Sequence, residues 1–316
     1  MMEQIPVVAV VGPTATGKSA LAVTLAEHFD GEVVSADSMQ VYRGMEIATA
    51  SPAEYEMHGI PHHLIGCIDP TEEFSVARYC ALAHPILADI HARSKLPILC
   101  GGTGLFVDSL LRCVDFSVEN TDPAVRAQLH SQLDEEGLDA MLSEIAAFDP
   151  ASYERLKTER NPRRILRCIE VYRTTGRTVT ELNIEATRYE SRYRPLKIGL
   201  KTSDRAVLYD RIDARVDAML DMGLLDEARE VQSADIGQTA AMAIGHKELL
   251  PYLMGNESLS ICTDSLKRAT RRYSKRQLTW FLRDDSIHWF DIDMMTLEEL
   301  SASAEQLIEG TFYAQS

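Results

Sequence analysis

Val7-Val8-Ala9-Val10-Val11, followed at once by Gly12-Pro13-Thr14-Ala15-Thr16-Gly17-Lys18-Ser19, is the stretch that decides the fold. The apolar run reads as a buried strand. The eight residues after it fit G-x-x-x-x-G-K-[ST], a phosphate-binding P-loop, and Leu21, Ala22, Leu25 and Ala26 then carry a helical pattern. Strand, glycine loop and helix in that order are the context the motif needs. The glycines let the backbone wrap a phosphate, and the amides and helix N-terminus supply partial positive charge. Lys18 adds a full charge, and the Ser19 hydroxyl is of the kind that ligates magnesium. The motif is that of nucleotide-binding and ATP-binding proteins. By itself it requires a di- or triphosphate, and does not say whether that phosphate belongs to a nucleotide.

Outward from the loop, short apolar runs alternate with helical patterns. Glu32–Ala36 reads as a second strand ending at Asp37, and Phe74–Arg93 as a helix. Leu96–Cys100 reads as a buried strand leading into Gly101-Gly102-Thr103-Gly104 and a helix from Leu105. Leu196–Leu200 and Ile287–Phe290 read as later strands. This alternation predicts an α/β fold with a doubly wound parallel sheet of the P-loop NTPase type. Ligands then sit beyond the carboxyl ends of the strands, where the P-loop, Asp37 and Gly101–Gly104 all fall. Between about 115 and 194 the strand signal disappears. Asp122-Pro123 reads as an N-cap with proline at N1, and helical patterns run to about Val171. The expected organisation is an α/β core over 1–114 and 195–316, interrupted by a helical insertion over 115–194, with basic helices near the C-terminus.

Composition narrows the class. The 316 residues are 45% hydrophobic and 25% charged, ordinary for a globular chain. No apolar stretch approaches the ~20 residues of a membrane span, and the start lacks the basic segment of a signal peptide. The six cysteines are widely spaced without C-x-x-C, as expected of thiols in a reducing cytoplasm. The net charge of −16 argues against a nonspecific nucleic-acid binder. Locally the balance reverses. Arg155 to Arg177 is dense in arginine, and Lys267 to Arg283 holds seven basic residues and no acid. In a helix, Lys267/Arg271/Lys275 and Arg268/Arg272/Arg276 form two adjacent rows. Charge alone leaves open a polyanion partner or a solvated face balanced by acidic neighbours.

Asp37, at a strand end facing a P-loop, has two functional readings, a magnesium-binding acid or a general base, beside that of a simple turn aspartate. Pro61-His62-His63 has no third ligand at a zinc-type spacing. There is no aspartate-rich D-D-x-x-D element, so diphosphate chemistry must rest on the P-loop.

Taken in order, these segments resemble the tRNA dimethylallyltransferases (tRNA isopentenyltransferases). The resemblance is carried by GPTATGKS at 12–19, DSMQVYRGMEIATA at 37–50, PHHLI at 61–65, GGTGLF at 101–106 and RRILRCIEVYRTTGR at 163–177. DRAVLYDRIDARVDAML at 204–220, AIGHKELLPYLMG at 243–255 and KRQLTW at 275–280 complete it. It implies transfer of a dimethylallyl group from dimethylallyl diphosphate to N6 of the adenosine beside the anticodon, with release of diphosphate. The implied partners are the tRNA anticodon stem-loop and the diphosphate donor. The implied cofactor is magnesium at Ser19, and the implied setting is a cytoplasmic monomer that needs no membrane.

Position by position, the resemblance implies that Asp37 is the general base, and that Lys18 and Arg215 are catalytic cations. Gly12, Pro13, Thr14, Ala15, Thr16, Gly17, Lys18 and Ser19 form the diphosphate site. The positions it implies for tRNA contact are Asp37, Ser38, Met39, Gln40, Thr103 and Arg126, then Arg163, Arg164, Ile165, Leu166 and Arg167. They continue with Met242, Ala243, Ile244, Gly245, His246 and Lys247, and end with Lys275, Arg276, Gln277, Leu278, Thr279, Trp280, Phe281 and Leu282. The chain departs from the family pattern at Ser51, where a lysine is common, at His246 for tyrosine, at Leu282 for arginine and at Phe106 for tyrosine. A small-molecule P-loop kinase accounts for the loop and Asp37, and a free-adenylate isopentenyltransferase for the prenyl chemistry. A noncatalytic tRNA-binding module needs no P-loop. None of the three accounts for both the loop and the basic helices.

Overall fold

The computed structural model describes residues 4–114, 123–186, 191–234 and 236–314. It divides into two compact units, Met1–Leu111 with Arg192–Ser316, and Arg112–Ser191 between them in sequence.

The first half of the core runs β1 (Ile5–Val11), α1 (Lys18–His28), β2 (Gly31–Ser35), α2 (Glu46–Thr49), β3 (His62–His63), α3 (Val76–Ala92), β4 (Leu96–Gly101) and α4 (Gly104–Leu111). The intervening unit holds α5 (Pro123–Phe148), α6 (Pro150–Glu159), α7 (Pro162–Thr175) and α8 (Val179–Ala186). The core resumes with β5 (Tyr193–Lys201), α9 (Arg205–Asp221), α10 (Leu224–Ser233), α11 (His246–Leu253), α12 (Leu259–Phe281), β6 (Ile287–Asp291) and α13 (Leu297–Ile308).

The six strands form one parallel sheet in the order β3-β2-β4-β1-β5-β6. Successive strand residues point to opposite faces. Val8, Val10, Ile98, Ile198 and Leu200 pack with Leu21 and Leu25 of α1 and with Leu300 and Ile308 of α13. Val7, Ala9, Val11 and Leu99, of the other parity, are equally inaccessible. A sheet buried on both faces is what the continuous apolar runs predict.

β3 has only two residues, too few for a periodic signal, and the sequence pattern misses it. His63 Nε2 meets the buried Glu32 carboxylate at 2.8 Å, and His62 Nδ1 meets the Ile60 carbonyl at 2.9 Å. The two histidines thus serve the sheet edge.

In the intervening unit, Leu129, Met141, Ile145, Leu156, Ile165 and Ile169 make an apolar core of their own. Gly137, at φ 78°, joins two helical stretches within α5. Asp149 and Asn161 cap α6 and α7, each with proline just inside the helix, and Gly176 ends α7 at φ 69°. Helix continues through α8, past the Val171 expected from the pattern. The N-cap expected at Asp122 lies outside the described residues.

Candidate active site

The carboxyl ends of β1, β2 and β4 bring three of the sequence motifs together. The Ala36 amide donates to the Cys100 carbonyl (2.8 Å), and the Thr103 amide returns a bond to the Ala36 carbonyl (3.1 Å). A Cβ at Gly101 would stand 2.2 Å from that same carbonyl, so only glycine lets the two strands come this close. Thr103 Oγ1 accepts the Ser38 amide at 3.0 Å, and Asp37 Oδ1 accepts the Met39 amide at 2.9 Å. The segment that carries Asp37 is thereby fixed from both sides.

The P-loop is held by residues far away in sequence. Gln277 of α12 is buried; its carbonyl oxygen accepts the Thr14 amide at 2.9 Å, and its amide donates to the Gly102 carbonyl at 3.1 Å. Trp280, one turn on, donates its indole N–H to Asp108 at 2.8 Å, and its ring fills the place a Cβ on Gly104 would take. From α9, Arg211 donates to the Ala15 carbonyl at 2.9 Å. Ala15 itself adopts φ 65°.

These elements enclose a pocket of about 270 Å³. Its lining includes Lys18, Ser19, Asp37 and Arg215, of which Lys18, Asp37 and Arg215 lie close enough to act on one another electrostatically, and Tyr273 and Gln277 of α12. Lys18 Nζ donates to the Pro13 carbonyl at 2.7 Å. Burial pushes the Lys18 ammonium down to about 8; Arg215 adds to that effect, and Cys100 and Asp37 oppose it. Burial also lowers the Arg215 guanidinium, against Asp37 and Glu56, yet a guanidinium stays charged at any working pH. Tyr273 is raised by burial and then by Asp37, with Thr103 and Gln277 in hydrogen-bonding reach, so the phenol stays neutral. Two cations beside a glycine loop suit a polyanion. The carboxylate beside them suits proton acceptance.

Two family models match this chain, one described as IPP transferase over residues 40–284, the other as isopentenyl transferase over residues 5–65. The chain belongs to the IPP transferase family. It is 42% identical to the tRNA dimethylallyltransferase of Halalkalibacterium halodurans, with 98% of both chains covered. To that of Bacillus subtilis it is 41% identical, with 91% of both covered. Among solved structures it is similar to the full-length tRNA isopentenylpyrophosphate transferase from Bacillus halodurans, at TM-score 0.73 and 40% identity over 98% of this chain and 97% of that one. A eukaryotic dimethylallyltransferase acting on tRNA gives TM-score 0.78 at 28% identity, over 96% of this chain and 77% of that one.

In this chain the positions brought to the pocket are Asp37, Ser38, Met39, Gln40, Met242, Ala243, Ile244, Gly245, Lys247, Arg276 and Gln277, besides Thr14, Lys18, Ser19 and Arg215. Thr103 joins them through Ser38. Gly12, at φ 136°, sits against the Leu200 carbonyl, and Thr16 is buried with its hydroxyl on the Pro13 carbonyl (2.8 Å), so both shape the loop from within. Gly17 adopts φ 85° at the start of α1. Lys275, Thr279 and Leu282 are exposed on α12 or at its end, Leu278 is partly covered, and Phe281 is buried.

His246 is buried, and its Nε2 meets Glu227 at 2.8 Å. The same carboxylate accepts the Ile47 amide (2.7 Å) and the Ala48 amide (2.9 Å), so it fixes α2 beside the pocket. Ser51, where the family often has lysine, has its hydroxyl 3.0 Å from that of Thr49.

The basic helices divide. On α12, Lys267 pairs with Asp217 and Arg271 with Asp213, both on α9. Arg268, Arg272, Lys275 and Arg276 have no acidic partner within ion-pair distance among the described residues. In the intervening unit, Ile165 and Leu166 are core. Arg164 pairs with Glu159, while Arg126 and Arg167 share the buried Glu170 at 3.1 and 3.2 Å. Arg163 is exposed. Sequence reasoning left out Arg211, Tyr273 and Glu227. Arg211 and Tyr273 lie one turn from residues it did name, and that spacing is the signal that finds them.

Proposed function

We propose that this chain transfers a dimethylallyl group from dimethylallyl diphosphate to N6 of the adenosine adjacent to the anticodon of tRNA, and releases diphosphate. The observation that carries this reading is the convergence of Lys18, Arg215 and Asp37 on one pocket at the P-loop. In the transfer the bond between C1 of the donor and the bridging oxygen breaks, and its electron pair leaves with diphosphate. The N6–C1 bond forms, and the N6 proton passes to Asp37. Lys18, Arg215 and the loop amides meet the charge that builds on the leaving oxygen, where fixed dipoles act most strongly. Asp37 is held by its bond to the Met39 amide, so the base is preorganised. The acceptor base must leave the anticodon-loop stack to reach this pocket.

The residues fit magnesium. The Ser19 hydroxyl stands at the pocket with Lys18 and Asp37, and it would supply one hard oxygen ligand of the kind this ion takes, the others coming from phosphate and water. Ser19 would hold it, and the ion would screen the diphosphate as negative charge develops. Arg276, Arg272, Arg163, Arg164 and Arg167, with Arg126, are assigned to the tRNA backbone, and the helical insertion over 115–194 to the grip on the stem-loop.

The test is product analysis with unmodified tRNA, magnesium and radiolabelled dimethylallyl diphosphate, with free AMP and ATP-plus-acceptor controls. Label on the anticodon-adjacent adenosine is the expected result, and Asp37→Ala lowers turnover while tRNA still binds. Label in AMP alone, or phosphate transfer from ATP, overturns the reading.

A further inference from the structure

α9 and α12 run antiparallel along the pocket, pinned by the pairs Asp213–Arg271 and Asp217–Lys267. Both change character with distance from the P-loop. On α9, Arg211 touches the loop at Ala15; Arg215 lines the pocket one turn further, and Met219 lines it one turn beyond that. On α12, Gln277 touches the loop, and Tyr273, Thr270 (its hydroxyl donating to the Leu266 carbonyl at 2.9 Å) and then Leu266 follow along the same wall. The ion pairs set the register, and in it Met219 and Leu266 stand at the same level. Both are buried, in one apolar cluster with Val216, Leu224 and Leu249, against which Ala48 and Ile244 pack. Along α9 the lining therefore passes from cation to hydrocarbon within about one helical turn, a backbone rise of ~6 Å from Arg215 to Met219.

This gradient has the polarity of an allylic diphosphate, a double anion joined to an alkenyl tail. Four carbons in line, at bond lengths of about 1.5 Å, reach about 4 Å in zigzag, and the eight in line of the ten-carbon homologue about twice that. A tail whose diphosphate is held at Lys18 and Arg215 has room for the first and strikes the Met219–Leu266 wall with the second. We propose that Met219 and Leu266 set the donor length, limiting transfer to a five-carbon allyl group. The inference rests on the proposed transfer. It adds which side chains choose among donors that share the same reactive end.

Steady-state kinetics on full-length protein with tRNA, magnesium and either dimethylallyl or geranyl diphosphate tests it. The wild type uses the first and leaves the second unused, or at least a hundredfold poorer in kcat/KM. Met219→Ala raises the geranyl-to-dimethylallyl ratio of kcat/KM by tenfold or more, as removal of a few methylene-sized groups from a wall does. Leu266→Val moves the ratio the same way with a smaller loss of core volume. Met219→Phe, which makes the wall residue bulkier and more rigid, raises KM for dimethylallyl diphosphate several-fold and leaves KM for tRNA unchanged. Circular dichroism melts on all three keep folding apart from selectivity.

The inference is overturned if folded Met219→Ala and Leu266→Val transfer dimethylallyl but keep the wild-type donor ratio. It is equally overturned if the wild type already accepts geranyl diphosphate. A wild type that transfers neither group fails the functional reading itself, and the donor-length assignment falls with it.

Discussion

Gln277 lies 263 positions after Thr14, yet its carbonyl oxygen accepts the Thr14 amide at 2.9 Å. With its amide on the Gly102 carbonyl, one buried side chain ties the P-loop, the β4 turn and α12 together. A buried carboxamide with both ends satisfied is stabilising, and truncating it strands two backbone groups at about 1–3 kcal/mol each. Gln277→Ala is therefore expected to raise KM for dimethylallyl diphosphate about tenfold and to lower the melting temperature by several degrees. Gln277→Glu keeps the acceptor for Thr14 but places a carboxylate beside the phosphate site. It should hurt donor binding at least as much, and it sets a buried carboxylate oxygen against the Gly102 carbonyl, so it costs stability too. Donor KM and thermal melts on the two variants separate the effects.

Lys18 supplies a pH prediction. Burial lowers its ammonium to about 8 in the free protein, so the charge is complete below that pH and lost as pH rises through it. An anionic donor needs the charged form. The kcat/KM for dimethylallyl diphosphate should fall on the alkaline side with an apparent pKa near 8, because that parameter reports the free enzyme. Bound diphosphate restores the charge, so kcat should hold to higher pH. Lys18→Arg, charged throughout, should remove the alkaline limb even though it lowers the rate. A limb that survives in Lys18→Arg assigns the titration elsewhere.

The partition of α12 predicts unequal roles for cations in adjacent rows of one helix. Lys267 and Arg271 already face Asp217 and Asp213, whereas Arg272 and Arg276 are without an ion-pair partner among the described residues. Each unpaired cation that meets a phosphate contributes about one to the salt slope of RNA binding. Arg272→Ala and Arg276→Ala should each weaken tRNA binding several-fold and flatten the plot of log Kd against log salt. Lys267→Ala should leave that slope unchanged, and because the Lys267 side chain is largely covered where it meets Asp217, it should cost about 1 kcal/mol in stability. Filter binding at several salt concentrations distinguishes the two rows.

That partition also marks where sequence stops being informative. The P-loop, Asp37 and the Gly101–Gly104 turn were legible because each sits at the end of an apolar run, and a parallel sheet collects such ends on one side. Two rows of like charge on α12 were legible as well, but their difference was not. It depends on aspartates of α9 that arrive by tertiary packing, some fifty residues away. The Gln277 clip was hidden for the same reason, since nothing local separates a glutamine that faces solvent from one that faces a distant loop. β3 was missed because two residues carry no period. The helical pattern ends at about Val171, short of α8, because a short helix like Val179–Ala186 carries too few turns to show its period.

Glu32 gives the last prediction, on stability rather than activity. It is a buried carboxylate on β2 that takes two bonds from the Arg93 guanidinium and faces His63. The Arg93 bonds, and then His63, hold its carboxyl down to about 2 against the opposing effect of burial. The unfolded chain has an ordinary glutamate, so it binds this proton first as pH falls. The stabilisation is thus complete above about pH 4.5 and is lost between there and pH 2. A shift of this size corresponds to about 3 kcal/mol. The wild type should lose this much over that window beyond whatever its other carboxylates contribute. Glu32→Gln, which cannot titrate, should be less stable at neutral pH and show a shallower fall in acid. Urea denaturation at pH 7, 4.5 and 3 reads the difference directly, and curves that stay parallel for the two proteins would remove Glu32 from the acid response.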